Sequence, residues 1–362
     1  MSNDYCVIMA GGLGTRFWPM SRNAYPKQFI DILGTGETLI QQTYRRFLQC
    51  CEPGNIFVVT NEMYKPLVEE QLPQLKPGQI LSEPFRRNTA PCIAYAANKI
   101  AGINPAARLV VAPSDHIILK EDAFAEIIHS ALDAAAKQPW LITLGIKPCR
   151  PDTGYGYIQF EDHTPLPHES RLKKVKTFTE KPELELARSF LASGDFLWNS
   201  GIFIWSVNSI LESLATYLPE IQQLFAEGKD QLNSPDEKAF IQQVYTRCKS
   251  ISIDYGVMEK APNVYVFQSD FGWSDLGTWG SLYETRPRDE KGNAVVGKNV
   301  MLYDSTNCII NLPKDKLAVL QGLDAYIVVE NDNILLVCRK SDEQQIRQFV
   351  NDVMVEKGDR YV

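Results

Sequence analysis

The run Ala10-Gly11-Gly12-Leu13-Gly14-Thr15-Arg16-Phe17-Trp18-Pro19, with Pro26-Lys27-Gln28-Phe29 close behind, carries the strongest chemical signal in the chain. Segment 5–10 reads as a buried strand, and a glycine-rich turn follows it at once. Glycines let backbone N–H groups converge on an anion with no Cβ in the way. Arg16 and Lys27 add two cations at short range, so the pattern reads as a cradle for phosphate groups. It is neither the GxxxxGK[ST] of a Walker A loop nor the spacing of a dinucleotide GxGxxG fingerprint. Two acidic residues stand out further on. Asp115 follows the apolar run 108–113, and Asp275 lies in the turn Trp273-Ser274-Asp275-Leu276-Gly277. Taken alone, each reads first as a helix cap or turn residue.

Taken together, the motifs resemble a known signature. GGxGTRxWPxSR followed by PKQF is similar to that of the mannose-1-phosphate guanylyltransferases, members of the sugar-phosphate nucleotidyltransferases, and every fixed position is present from Gly11 to Arg22. Glu83-Pro84-Phe85-Arg86-Arg87-Asn88-Thr89-Ala90-Pro91 resembles that family's nucleotide-side loop, and Pro113-Ser114-Asp115-His116 its metal-binding strand end. Gly154-Tyr155-Gly156-Tyr157-Ile158 resembles the sugar-side turn. Phe178-Thr179-Glu180-Lys181-Pro182 and Trp198-Asn199-Ser200-Gly201-Ile202-Phe203 resemble the remaining sugar and phosphate contacts.

The resemblance implies transfer of GMP from GTP to mannose 1-phosphate, with diphosphate leaving. It implies that Ala10, Gly11, Gly12, Gly14, Thr15, Arg16, Lys27, Arg87, Asn88, Thr89 and Ser114 bind the nucleotide, with Arg16 and Lys27 catalytic. Gly154, Tyr155, Gly156, Glu180, Lys181 and Asn199 take the sugar phosphate, and Asp115 and Asp275 meet across a cleft to hold one Mg²⁺. The chemistry agrees, because joining two phosphates needs cationic clamps and a divalent ion more than a strong base. Mg²⁺ accepts one or two carboxylates, with phosphate oxygens and water completing its shell. The Phe17-Trp18-Pro19 and PKQF patterns favour mannose and GTP. A heptose-phosphate guanylyltransferase, a glucose-phosphate thymidylyltransferase or a non-catalytic nucleotide-sugar sensor remain the alternatives. A sensor should have lost some of Arg16, Lys27, Asp115 or Asp275, and all are present.

These residues need a scaffold. Apolar runs at 5–10, 55–60, 108–113 and 140–146 read as buried strands, separated by amphipathic helical patterns. One helix is expected over 89–101, with Pro91 near its start and Gly102 just past its end. Further strands are expected at 174–181, 201–206 and 264–269, and helices at 184–192, 208–217 and 236–248. Strand–helix alternation argues an α/β fold. The resemblance makes it a Rossmann-like, GT-A-like nucleotidyltransferase with a mainly parallel mixed sheet. A catalytic domain is expected over 1–284, a charged linker over 285–294, and a small C-terminal β domain over 295–362 ending in a helix. In shorter family members that tail is a left-handed β-helix fragment, although no hexapeptide repeat is visible here. Residues 295–362 are too few for the isomerase domain some relatives carry, so a monofunctional transferase is expected. An unpaired β surface on the tail points to packing on the catalytic domain or on a second subunit, hence a homodimer.

Composition limits the alternatives. The chain has 362 residues, a net charge of −7 and a 44% hydrophobic fraction, which excludes a disordered chain. The acidic balance argues against a nucleic-acid partner. The eight cysteines contain no CxxC, and the four histidines (116, 129, 163, 168) do not fall at metal-ligand spacing with them. Scattered cysteines read as reduced thiols of a cytoplasmic protein. Neither a leader peptide nor a membrane span is expected.

Overall fold

The computed structural model describes residues 2–162 and 169–362, so His163 and His168 lie outside the described residues. It divides into two compact units. One comprises Met1–Gly11, Gln41–Ser114 and Ile118–Trp273; the other comprises Gly12–Ile40, Asp115–Ile117 and Ser274–Val362.

The first unit is built on a nine-stranded sheet. From one edge its order is Ile80–Glu83, Ile56–Asn61, Asp4–Met9, Arg108–Pro113, Phe196–Ser206, Leu141–Ile146, Val264–Ser269, Leu172–Glu180 and Gly156–Phe160. Only Phe196–Ser206 and Leu172–Glu180 run against the other strands. The sheet is therefore mainly parallel and mixed. Its central strands read as continuous apolar runs because both faces are covered. On one face Val7, Phe57 and Val59 join Ile100, Ile210, Leu214 and Phe225 from helices Thr89–Ile103, Val207–Tyr217 and Pro219–Ala226. Helix Glu121–Lys137 packs on the strands Arg108–Pro113 and Phe196–Ser206.

Helix Thr89–Ile103 runs past Gly102 and ends at Asn104, ahead of Pro105. Proline, which cannot donate to the preceding turn and disfavours helix in the residue before it, sets this stop. The sugar-side turn read at 154–158 runs into a strand, Gly156–Phe160, which pairs with both Leu172–Glu180 and Phe196–Ser206, a tertiary gain that overrides the glycine at its start.

The second unit does not follow the expected boundary at 285–294. Its C-terminal part is a parallel coil. Ala294–Val296, Ile309–Asn311 and Tyr326–Asn331 stack as one face, Asn299–Tyr303 and Leu317–Gln321 as another, and Thr306 bridges Asp324 on a third. Stacked parallel turns of this kind are those of a β-helix. Ile334–Arg339 closes it antiparallel, and helix Ile346–Lys357 follows. The turns use Asp304, Asn307 and Ala325 at positive φ, so no strict six-residue repeat is needed in the sequence.

The glycine-rich segment buries its aromatic side on this coil. Phe17 and Trp18 share a core with Trp279, Ile309, Ile327, Val329 and Ile346. The Trp18 indole donates to the Tyr361 carbonyl at 2.7 Å, and Arg22 donates to the Asn331 carbonyl at 3.1 Å. Residues 285–294 form a packed turn. The Arg286 guanidinium donates to the Ile32 carbonyl at 2.7 Å, and burial pulls its pKa down to about 10. Asn293 is buried and donates to the Ser305 carbonyl. Deleting residues 295–362 is thus expected to leave an inactive product with a disordered glycine-rich segment. Turnover and amide exchange over residues 12–40 check this; an active, fully protected truncate would contradict it.

Candidate active site

In the second unit, Gly14 starts a short 3-10 turn, Thr15–Phe17, with φ at 61°. A Cβ there would lie 2.5 Å from the Lys27 Cβ, so only glycine fits. The Ser21 hydroxyl donates to the Leu13 carbonyl at 2.8 Å, and the Gln28 amide donates to the Gly12 carbonyl at 3.0 Å. These bonds hold the loop while the N–H groups of Gly11 and Gly12 donate to nothing among the described residues.

Lys27 is 4% exposed, and all three of its N–H donors are engaged. Its ammonium sits 2.7 Å from Asp115 Oδ2 and donates to the carbonyls of Asp275 and Leu276, each at 2.9 Å. The structure therefore gathers Lys27, Asp115 and the Asp275 turn around one positive charge. Burial alone would raise the Asp115 carboxyl. The Lys27 ammonium, with His116 and hydrogen bonds, outweighs that and holds it below the usual carboxylate range. Asp275 Oδ1 accepts from the Gly277 N–H at 2.9 Å, the turn role its position suggested. Among the described residues no three His, Cys, Asp or Glu side chains converge as a metal cluster. A hard divalent cation here would draw on one or two carboxylates and complete its shell from substrate, a donor set that suits Mg²⁺.

Arg16 lies half-buried in the Thr15–Phe17 turn, against which helix Ile346–Lys357 packs. Burial, then the positive charge of Arg16, lowers the Arg347 guanidinium. Sequence reasoning missed this second cation, since nothing local ties the C-terminal helix to the loop.

In the first unit, Ala10 and Gly11 lead off the strand Asp4–Met9. Ser114 follows the neighbouring strand, its N–H donating to the Met9 carbonyl and its carbonyl accepting from the Thr43 hydroxyl, both at 3.1 Å. The loop 84–88 is held by its own side chains. Arg87 Nε donates to the Tyr245 carbonyl at 3.1 Å, Asn88 caps the following helix from positive φ, and the Thr89 hydroxyl accepts from the Ile253 N–H at 2.9 Å.

Elsewhere in that unit the residues expected on the sugar side gather. Gly156 pairs with Glu180 across two strands, and a side chain at 156 would strike the Glu180 carboxylate. Lys181 has φ of 47° and its ammonium contacts Glu180. Its N–H donates to the Tyr155 carbonyl at 3.2 Å, and the Gly154 N–H donates to Asp152 at 2.8 Å. The Tyr155 ring packs edge-on to Trp198 and Trp273. Asn199 Oδ1 accepts from Thr143 and from the Gly201 N–H, and its amide donates to Asp254 at 3.0 Å. Burial, then the charge of Glu180, pushes the Asp254 carboxyl up to about 6. Asp254, which opens the short π-helix Asp254–Met258 and fixes the Asn199 amide, was also missed.

This assembly of a bare glycine loop, a buried lysine on two aspartate positions and a parallel sheet agrees with a match to the nucleotidyl transferase family model over residues 5–292. The chain belongs to that family. Such nucleotidyltransferases generally use a divalent metal. The chain is 36% identical to the mannose-1-phosphate guanylyltransferase of Klebsiella pneumoniae, over 98% of this chain and 75% of that one. It is 38% identical to the xanthan biosynthesis protein XanB of Xanthomonas campestris, over 98% and 74%. A crystal structure of mannose-1-phosphate geranyltransferase from Thermus thermophilus superposes with a TM-score of 0.86 at 28% identity, covering 97% of this nucleotidyltransferase and 99% of that chain. No helix among the described residues is long and apolar enough to cross a membrane.

Proposed function

We propose that this nucleotidyltransferase transfers GMP from GTP to α-D-mannose 1-phosphate, giving GDP-mannose and diphosphate. The observation that carries the substrates is the 36% identity with a mannose-1-phosphate guanylyltransferase across 98% of the chain. The geometry supports the chemistry. An oxygen of the sugar phosphate attacks the α-phosphorus, and the bond to the diphosphate oxygen breaks. Ala10, Thr15, Ser114 and the N–H groups of Gly11, Gly12 and Gly14 cradle the triphosphate, with Arg16 as its cation. Lys27 exchanges a protein oxygen for a phosphate oxygen as charge builds, since its donors are otherwise filled. Asp115 and Asp275 would hold Mg²⁺, which when bound offsets the negative charge of the reacting phosphates.

On the acceptor side, Lys181 takes the sugar phosphate, while Glu180 and the remaining N–H of Asn199 bond sugar hydroxyls. Backbone at Gly154, Tyr155 and Gly156 allows the ring to approach closely. Arg87, Asn88 and Thr89 shape the base side, mainly through backbone, because their side chains secure the loop. A panel of nucleoside triphosphates and sugar 1-phosphates, read by diphosphate release, tests the assignment. GTP with mannose 1-phosphate is expected to dominate; preference for a heptose phosphate or for dTTP with glucose 1-phosphate would replace it.

The setting proposed is cytoplasmic, without nucleic-acid or membrane partners, and the assembly is a homodimer. Met301, Tyr303, Leu317 and Val319 stand exposed on one face of the paired strands Asn299–Tyr303 and Leu317–Gln321, an apolar patch suited to a second copy. Light scattering is expected to give the mass of two chains, and Val319→Asp that of one. A one-chain mass for the unaltered protein at every concentration would contradict the dimer.

A further inference from the structure

A cavity of about 880 Å³ opens in the first unit, a volume typical of small-molecule sites. Phe57 and Ile80 reach its wall from the starts of strands Ile56–Asn61 and Ile80–Glu83. Ile103 comes from the end of helix Thr89–Ile103, and Ile241 from helix Glu237–Arg247. Open parallel sheets bind their ligands beyond the carboxyl ends of the strands, whereas this wall draws on the amino ends. None of the lining residues holds a role assigned above.

Four lysines and two glutamates line the cavity, so its wall is positive. Glu62 is taken by Lys238 at 2.6 Å. Lys76 is exposed and makes no ion pair among the described residues. Lys99 is 5% exposed, and an ammonium so buried needs acceptors for its three N–H groups. Among the described residues its ammonium contacts Glu237 alone. That carboxylate is shared, since it also accepts from the Tyr95 hydroxyl and from the Asn233 N–H, the latter at 2.7 Å. Two donors of Lys99 are thus left for an acceptor in the cavity. A phosphate monoester offers three terminal oxygens, enough for both donors and for Lys76, whereas a carboxylate offers two. The apolar wall suits a flat or aliphatic body attached to that phosphate. We propose that this cavity is a second ligand site, taking a small phosphate monoester whose phosphate is bound by Lys99 and Lys76.

Phenyl phosphate, a dianion on a flat ring, is the probe, and calorimetric titration of the full chain reads its affinity. It is expected to bind more tightly than inorganic phosphate, while phenol, which lacks the anion, does not bind. Removing Lys99 alone would strand the Glu237 charge, so Lys99→Met is combined with Glu237→Gln. Loss of a charged hydrogen-bond partner costs on the order of 10–100-fold in affinity, and the double variant should lose that much. Lys76→Ala, at an exposed position where folding is not at stake, should weaken binding several-fold and leave nucleotidyl transfer unchanged. Lys27→Met separates this cavity from the glycine-rich loop: phenyl phosphate should bind that variant as it binds the unaltered protein. Amide exchange should slow over residues 76–82 and 233–242 when the probe is added. Affinity unchanged by both the double variant and Lys76→Ala overturns the proposal. So does affinity lost in Lys27→Met, which would place the anion at the loop, or no binding of phenyl phosphate at all.

Discussion

Lys27→Met is expected to cut turnover by about 10²–10³, the usual cost of removing one preorganised electrostatic donor. Methionine keeps most of the side-chain volume, so packing against Phe17, 5.7 Å from the ammonium, is largely retained. What disappears is the charge that Asp115 and the carbonyls of Asp275 and Leu276 surround. Leaving Asp115 without its counter-ion also destabilises the fold, by about 3–5 kcal/mol if the pair behaves as buried. The Asp115 side chain retains 27% exposure, which places the cost at the lower end. Saturating kcat and a thermal melt separate the two effects. Near-normal turnover in a variant that still folds would remove Lys27 from the mechanism.

Asp115→Asn and Asp275→Asn should each lower turnover by about 10²–10³ and raise the divalent cation concentration needed for half-maximal rate. Both substitutions spare local structure. Asparagine at 275 can still accept the Gly277 N–H that Oδ1 now accepts, and asparagine at 115 can still accept from Lys27. The loss would therefore report charge and metal affinity, not a broken turn. Chelation of the unaltered protein should abolish activity and added Mg²⁺ should restore it. An unchanged cation requirement in both variants would move the metal elsewhere.

Much of the proposed site was legible because its signals are local. A buried strand running into Gly11 and Gly12, with Arg16 and Lys27 nearby, sets the proposed phosphate cradle in adjacent residues. Asp115 and Asp275 were readable as strand-end and turn acids. They were expected to meet around Mg²⁺; that Lys27 itself sits against Asp115 and the carbonyls of Asp275 and Leu276 was not expected, because pairing distant stretches depends on tertiary packing. The same reason hid Arg347 and Asp254, whose neighbours come from remote segments. The long apolar strands and the helix Glu121–Lys137 carried clear periodicity. The strand Gly156–Phe160 did not, since it opens on Gly156, which serves close approach to Glu180. The boundary near 285–294 misled because charge and proline imitate a linker, whereas Arg286 and Asn293 are tied into the packed second unit.

The central claim is nucleotidyl transfer to a sugar phosphate, and ³¹P NMR of a single reaction tests it most directly. With purified protein, GTP, mannose 1-phosphate and Mg²⁺, resonances of GDP-mannose and diphosphate should grow in equal amounts as both substrates decline. Unchanged substrates, or GTP cleaved to GMP or GDP while mannose 1-phosphate stays intact, would contradict the account.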